Sequence, residues 1–322
     1  MLLDIAWAEF PQAMSIRKTI CMVLEALSIG CAVPRPDFDA AVHSLFPSAL
    51  NLRPSSGIEL LTLVSSAGAD LPRGIRVGTP ENFSFEIFHV GEQVTCRDNI
   101  LRIGSLTIEL RHARTWKCDL PALHMDLANP LVGSAWKSAW SALNQRQIRS
   151  NAEIIARDLF HADGKTRSGL SEKISVAMRS LLDAAAHLNS AALSSICSLI
   201  GLGAGLTPAG DDLLVGFLGG LWCSVQDNPE RLQFVSNLGE AVLQHSHLTN
   251  DISRTYLNCA AQGQISSLLA DLAAAISLGE NSDRLLNVLE TAMCVGHTSG
   301  MDAVTGLLIG IAAWEGVRFL FA

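Results

Sequence analysis

Residues 201–216 read GLGAGLTPAGDDLLVG. Glycines at 201, 203 and 205 lead into Thr207-Pro208, then Gly210 and the acid pair Asp211-Asp212. This is the grammar of a loop entering a helix. Thr207 suits the N-cap, because its hydroxyl accepts from a free N–H of the first turn. Pro208 suits the next position, where a missing N–H costs nothing, and acids in the first turn suit the helix dipole. The glycines exceed what a helix start needs. Glycine inside a helix costs roughly 1 kcal/mol relative to Ala. Gly210 and the loop before it therefore point to close approach by a ligand or by a second helix.

Outward from this stretch the chain divides by periodicity. Downstream, apolar spacing predicts helices over 208–225, 229–246, 250–262, 264–278, 282–295 and 300–316. Upstream, residues 134–161 read as one or two helices, 162–170 as a polar loop and 171–200 as a further helical run. Residues 72–110 differ. IRV at 75–77, FEIFHV at 85–90, EQVTC at 92–96, ILRIG at 100–104 and LTIEL at 106–110 are separated by Gly, Pro and Asn breaks at hairpin spacing. Ile58 to Val64 adds another strand. Near the start, Ile16, Ile20, Val23, Leu24 and Leu27 stand at helical spacing, so 12–31 reads as a helix that Pro34 and Pro36 close. The fold expected is α+β: a helical segment over 1–39, a small, mainly antiparallel β domain over 40–130, and an all-α domain over 131–322.

Composition narrows the function. With 49% hydrophobic and 17% charged residues the 322-residue chain is expected to be globular. Its eight cysteines are scattered, with no CxxC and no zinc spacing, which suits free thiols in a reducing compartment. Asp4 and Glu9 interrupt any signal-peptide pattern, and the apolar run from Ala303 to Trp314 is too short to span a bilayer. A cytoplasmic location without a membrane partner is expected. Residues 1–190 balance 19 basic against 19 acidic residues, whereas 191–322 hold four Arg, no Lys and 12 acids. That distribution excludes a nucleic-acid footprint, which needs clustered positive charge.

Three segments carry polar residues beyond structural need. The 201–212 loop resembles an anion site at a helix N-terminus. It lacks the Gly-Lys-Ser/Thr of a P-loop, and no βαβ unit surrounds it. Asp211 and Asp212 would repel a phosphate unless Mg²⁺ or an Arg intervenes; capping alone also explains Asp212 and Asp302, and tight packing alone explains the glycines. In GHTSGMD at 296–302, Ser299 with Asp302 fits a capping box, leaving His297 and Thr298 unexplained. In HSHLTNDISR at 245–254, Thr249 suits an N-cap, Ser253 lies one turn on, and Arg254 is the best internal counter-charge for an anion. His245 and His247 lack a third ligand at metal spacing. Finally, Gly210, Asp212, Gly216 and Gly220 are matched 90 positions later by Gly300, Asp302, Gly306 and Gly310. Either this is coincidence in a chain with 25 glycines, or two helices cross closely at small faces with their N-termini together.

The 201–216 stretch resembles the signature GLGPGLTPSGDD of the AllH family, with Ala204 in place of its Pro and Ala209 in place of its Ser. TNDISRTYL at 249–257 and GHTSGMDAVTGLLIG at 296–310 extend the resemblance, and VHSLFPSALNL at 42–52 does so more loosely. The resemblance implies a subunit of the FdrA-linked oxamate carbamoyltransferase of allantoin breakdown, in which oxalurate and phosphate give oxamate and carbamoyl phosphate. It implies a small ureido or carbamoyl anion, or phosphate, as ligand, and FdrA-type partner subunits; a homo-oligomer is also open. Residues expected at or near the ligand are Gly203, Gly205, Thr207, Gly210, Asp211, Asp212, Thr249, Ser253, Arg254, Thr298, Ser299, Gly300 and Asp302. Asp211, Asp212 and His297 are the catalytic candidates, and Mg²⁺ at Asp211 and Asp212 the one cofactor considered. Two other readings stay open: a non-catalytic docking subunit, and a metal-dependent hydrolase using the acid pair.

Overall fold

The computed structural model describes residues 22–34, 37–57, 59–160, 169–189, 192–280 and 283–316. Residues 12–21 of the expected first helix, and Ile58, lie outside them. The rest of that helix is instead a strand, β1 (Met22–Gly30). Its even-numbered residues from Met22 to Ala26 face inward and its odd ones outward. The period of two is hidden in the sequence because two outward residues, Val23 and Leu27, are themselves apolar.

Eight further strands follow: β2 (Phe38–Phe46), β3 (Ala49–Pro54), β4 (Leu61–Val64), β5 (Gly74–Val77), β6 (Gln93–Arg97), β7 (Ile100–Ile103), β8 (Leu106–Glu109) and β9 (Arg114–Trp116). The order β1-β5-β4-β3-β2-β6-β7-β8 returns to β1, closing an eight-stranded barrel. β4–β5 and β8–β1 are parallel, and the other neighbours are antiparallel. β9 pairs in parallel with the far half of β1. Closure leaves the barrel without a free edge. Local chemistry sets the register. The β6–β7 hairpin turns on Asp98-Asn99, both at positive φ (53° and 61°), as a tight two-residue connection requires. Inside lie Val42, Leu52, Leu63, Ile75, Val94, Leu101 and Ile108.

FEIFHV is not a strand. Phe85–Ile87 form one 3-10 turn, capped by Ser84, whose Oγ accepts from the Glu86 N–H at 3.2 Å. The turn puts Phe85 and Phe88, three apart, into the barrel core and leaves Ile87 and Val90 exposed.

Nine α-helices follow among the described residues: α1 (Pro130–Arg149), α2 (Gly169–Ala186), α3 (Ala192–Leu199), α4 (Ala209–Cys223), α5 (Pro229–His245), α6 (Asp251–Ala261), α7 (Ser267–Ser277), α8 (Asp283–Met293) and α9 (Ser299–Ala312). The architecture is thus α+β, a barrel followed by an all-α region. At its centre α4 and α9 run side by side in parallel. A Cβ on Gly216 would lie 1.9 Å from the Ala303 carbonyl oxygen, and one on Gly306 would lie 2.0 Å from that of Leu213. Gly220 and Gly310 make the same exchange one turn on, against the carbonyls of Leu307 and Phe217. The 90-residue echo is therefore a reciprocal packing. Each helix offers glycine to the other's backbone, an approach that only glycine permits.

The barrel docks on α6 and α7. The Leu60 N–H donates to Thr255 Oγ1 at 2.9 Å, Asn258 Nδ2 donates to Glu59 Oε1 at 2.9 Å, and the Ser267 N–H donates to the Asp70 carbonyl at 2.9 Å. Arg53 pairs with Asp251 across the same seam.

Candidate functional site

Parallel packing of α4 and α9 brings their N-termini together. The glycine-rich loop enters α4 through Gly201, Gly203 and Gly205 at φ 74°, 122° and 103°, a conformation that disfavours side chains. The N-cap of α4 is Pro208, not Thr207. Released from capping, Thr207 turns its hydroxyl to Ser299 at the start of α9, 2.6 Å away. Ser299 lies inside α9 behind the N-cap Thr298, so the expected Ser299–Asp302 capping box does not form. Thr249 is likewise not a cap: Asn250 caps α6, accepting from the N–H groups of Ile252 and Ser253 at 3.0 and 3.1 Å.

Above the joined helix starts, between them and the barrel, lies a cavity of about 440 Å³. Thr207, Asp212, Ser299 and Gly300 line it from the helix starts, and Ser48, Asn51 and Thr62 from the barrel. Tyr256 of α6 and Gln264 complete its polar wall, while Phe46, Leu71, Val215, Ile252, Leu268, Leu269 and Val295 contribute apolar surface. Among the described residues the lining contains no Arg, Lys or His.

The three acids of the region do three different things. Asp211 is buried and fully engaged: its Oδ1 accepts from the Gly201 N–H at 2.7 Å and its Oδ2 from Thr249 Oγ1 at 2.5 Å. Burial raises its carboxyl above the ordinary range, against the pull of Gly201, Thr249 and Ser253. This clasp fastens the glycine loop and the start of α6 to α4. Asp302 is buried on the other side, bonded to Thr298 and within the field of Glu153, and burial lifts it to about 7. Asp212 faces the cavity. It is partly buried, yet its Oδ2 is enclosed and has no hydrogen-bond partner. Burial pushes its carboxyl up to about 8, against the neighbouring Ser299 and Thr207 hydroxyls. At neutral pH Asp212 is therefore mostly a neutral acid, able both to donate and to accept.

The remaining expected residues fall outside the cavity lining. Gly203 lies against the Ala209 N–H, the Cβ position of Gly205 faces open space, and Gly210 packs on the Leu199 carbonyl at the end of α3. Thr249 and Ser253 serve Asp211, and Thr298 serves Asp302. Arg254 reaches Asp251 Oδ1 at 3.2 Å and the carbonyl of Ser246 at 3.3 Å. His297 is exposed. The two carboxylates of the Asp211-Asp212 pair do not converge, and among the described residues no three His, Cys, Asp or Glu side chains gather as a metal site would need.

Sequence reasoning missed Asn51, Thr62 and Tyr256. Tyr256 is the chain's single tyrosine. Burial raises its hydroxyl to about 12, against its hydrogen bond with Thr62, and the Asp212 charge adds to the rise. Thr62 in turn donates to Asn51 Oδ1 at 2.8 Å. The barrel thus presents an ordered polar row to the cavity. Two polar residues within the apolar runs of β3 and β4 were the available signal. Cys259, also on the lining, is held as a thiol by burial, which raises it to about 12.

A closed barrel docked on a helical body, with a cavity between them, makes this a two-part α+β protein. No solved structure gives a significant match to it. Residues 12–115 match the AllH family N-terminal domain, and residues 199–311 match oxamate carbamoyltransferase subunit AllH. The chain belongs to the AllH family, that of an oxamate carbamoyltransferase subunit, and a subunit implies partner subunits in a carbamoyltransferase complex. The cavity lies between the matched segments: its wall from Phe46 to Pro72 falls in the first and that from Leu206 to Ala303 in the second. Among the described residues no helix is long and apolar enough to cross a membrane.

Proposed function

We propose that the cavity binds the carbamoyl end of a small ureido compound such as oxalurate, or the amide end of oxamate, and that partner subunits complete the site. One observation carries this reading: the enclosed, unpartnered Oδ2 of Asp212 in a cavity without basic side chains. A neutral carboxylic acid is the complement of a primary amide, donating to its carbonyl and accepting from its NH₂. The N-termini of α4 and α9 meet here, and their dipoles favour negative charge developing on the carbamoyl oxygen. Such stabilisation serves attack by a phosphate oxygen on the carbamoyl carbon of oxalurate without a protein nucleophile: the new C–O bond replaces the C–N bond to the oxamate nitrogen, which leaves as the amide after taking a proton. Phosphate and the oxamate carboxylate need cations that this lining lacks; in this reading an FdrA-type partner supplies them. The chain is then half of a transferase site. A hydrolase built on Asp211 and Asp212 with Mg²⁺ draws no support, since hydrogen bonds occupy both Asp211 oxygens.

Calorimetric titration of the full chain, alone and with its partner subunits, tests this. Oxamate is expected to bind the chain alone through its amide end and more tightly with the partners present, and inorganic phosphate only with them. Asp212→Ala should weaken oxamate binding by roughly tenfold or more, the cost of a lost buried hydrogen-bond partner. Undiminished binding by that variant would sink the assignment.

A further inference from the structure

The cavity is larger and more apolar than an ion of oxamate's size can use. Pockets of about 300–1,000 Å³ hold drug-sized ligands, and this one measures about 440 Å³. Its polarity is graded along the central helix pair. Thr207, Asp212 and Ser299 stand at the helix starts. One turn further along the same faces, Val215 follows Asp212 by three positions and Ala303 follows Ser299 by four, and both line the cavity. From α7 come Leu268 and Leu269, and from the barrel Leu71. The polar atoms thus hold one end of a ligand, and the next turn of both helices offers only hydrocarbon. Burying an apolar group against such walls is favourable.

We infer that the cavity takes a ureido compound bearing an aliphatic substituent, with its carbamoyl head between Asp212 and Tyr256 and its hydrocarbon against Val215, Leu268 and Leu269. A carbamoylated aliphatic amino acid has this form. Its carboxylate points to the open mouth of the cavity, toward the partner, because the lining holds no cation to receive it. This inference rests on the carbamoyl-binding reading above and adds the nature of the substituent.

The test is a calorimetric or thermal-shift series on the full chain with its partner subunits, using N-carbamoyl-leucine, N-carbamoylglycine, oxamate and unmodified leucine. N-carbamoyl-leucine is expected to bind at least about tenfold more tightly than N-carbamoylglycine, the gain from burying one aliphatic side chain. Unmodified leucine is expected not to compete. Equal affinities for the two carbamoyl compounds, or binding of oxamate alone, overturn the apolar substituent and leave the carbamoyl-binding reading standing. Failure of every carbamoyl compound and of oxamate overturns both.

Discussion

Asp212 and Asp302 occupy matching positions on α4 and α9, 90 residues apart, and the two helices pack as near mirror uses of one design. Around the glycines the match is close: Gly216 lies on Ala303 and Leu307, and Gly306 on Leu213 and Phe217. Around the acids it breaks. Asp302 is bonded to the hydroxyl of its own N-cap, Thr298, and turns toward Glu153. Asp212 has no hydroxyl at its own cap, which is Pro208; the hydroxyls beside it, Thr207 and Ser299, are bonded to each other. Its carboxyl is left to the cavity. The packing is thus duplicated and the site is not. A repeat that builds the core fixes where two helix starts meet, and one substitution at a cap decides which of the two acids is free to bind.

The largest effects fall on the part that is duplicated. Gly216→Ala and Gly306→Ala each place a methyl group within about 2 Å of a carbonyl oxygen of the facing helix. Neither backbone can retreat without opening the central pair. Each variant is expected to lose about 3 kcal/mol or more, at or beyond the upper end for an overpacked core. Urea denaturation measures this, and similar losses at both positions would support the reciprocal arrangement. A tolerated alanine at either one would break it.

Next come the acids themselves. Asp212 and Asp302 are raised from 3.8 to about 8 and about 7. Below pH 3.8 folded and unfolded chains both keep these protons, and the stability that these two acids contribute is fully present. As pH rises, the unfolded chain gives up protons that the folded chain retains, so stability falls. The fall contributed by Asp302 ends near pH 7 and that of Asp212 near pH 8. Asp302→Asn should flatten the curve up to pH 7, and Asp212→Asn up to pH 8. For ligand, the asymmetry is sharper. Asparagine mimics the neutral acid, so Asp212→Asn should keep oxamate binding and remove its decline above pH 8. Asp302→Asn should leave that decline in place. Loss of the decline in Asp302→Asn would assign the site to the wrong helix.

The helical half of this arrangement was legible in the sequence, and so were β4 to β8 as strands; the first strand and the closure of the barrel were not. Helices announce themselves: Asn228-Pro229 starts α5 and each interior repeats at helical spacing, although the cap of α6 is Asn250 and not the expected Thr249. The match of Gly216 with Gly306 could be read because glycine has little other use inside a helix. β1 could not, since Val23 and Leu27 are apolar yet face outward. FEIFHV has strand composition, but its two inward phenylalanines are three apart and form a turn. At the site, Thr207, Asp212, Ser299 and Gly300 belong to motifs, and they do line the cavity. The roles of the two adjacent aspartates were beyond reach, because neighbours on a helix face different ways and only the surroundings distinguish them. Asn51 and Thr62 are single polar residues in buried strands, and what they face depends on barrel closure between segments distant in sequence.

Thr207→Val tests the hydroxyl bridge that joins the two starts. It removes the 2.6 Å bond to Ser299 while keeping the volume. Roughly 1 kcal/mol of stability should be lost, with oxamate binding weakened by a few-fold through Asp212. An unchanged affinity would mean that Ser299 alone orients the acid.

Arg254→Ala should have the smallest effect, and it separates the two regions most plainly. The guanidinium is the obvious counter-charge for an anion in an acidic domain. Here its bonds go to Asp251 and to the carbonyls of Ser246 and Thr249, and none of its atoms lines the cavity. The pair with Asp251 is partly exposed and shares that carboxylate with Arg53, so its loss should cost no more than about 1 kcal/mol. Oxamate affinity should be unchanged, both in the chain alone and with its partners. A tenfold loss of affinity at unaltered stability would show that Arg254 swings into the cavity when the complex forms. The cation missing from the lining would then come from this chain.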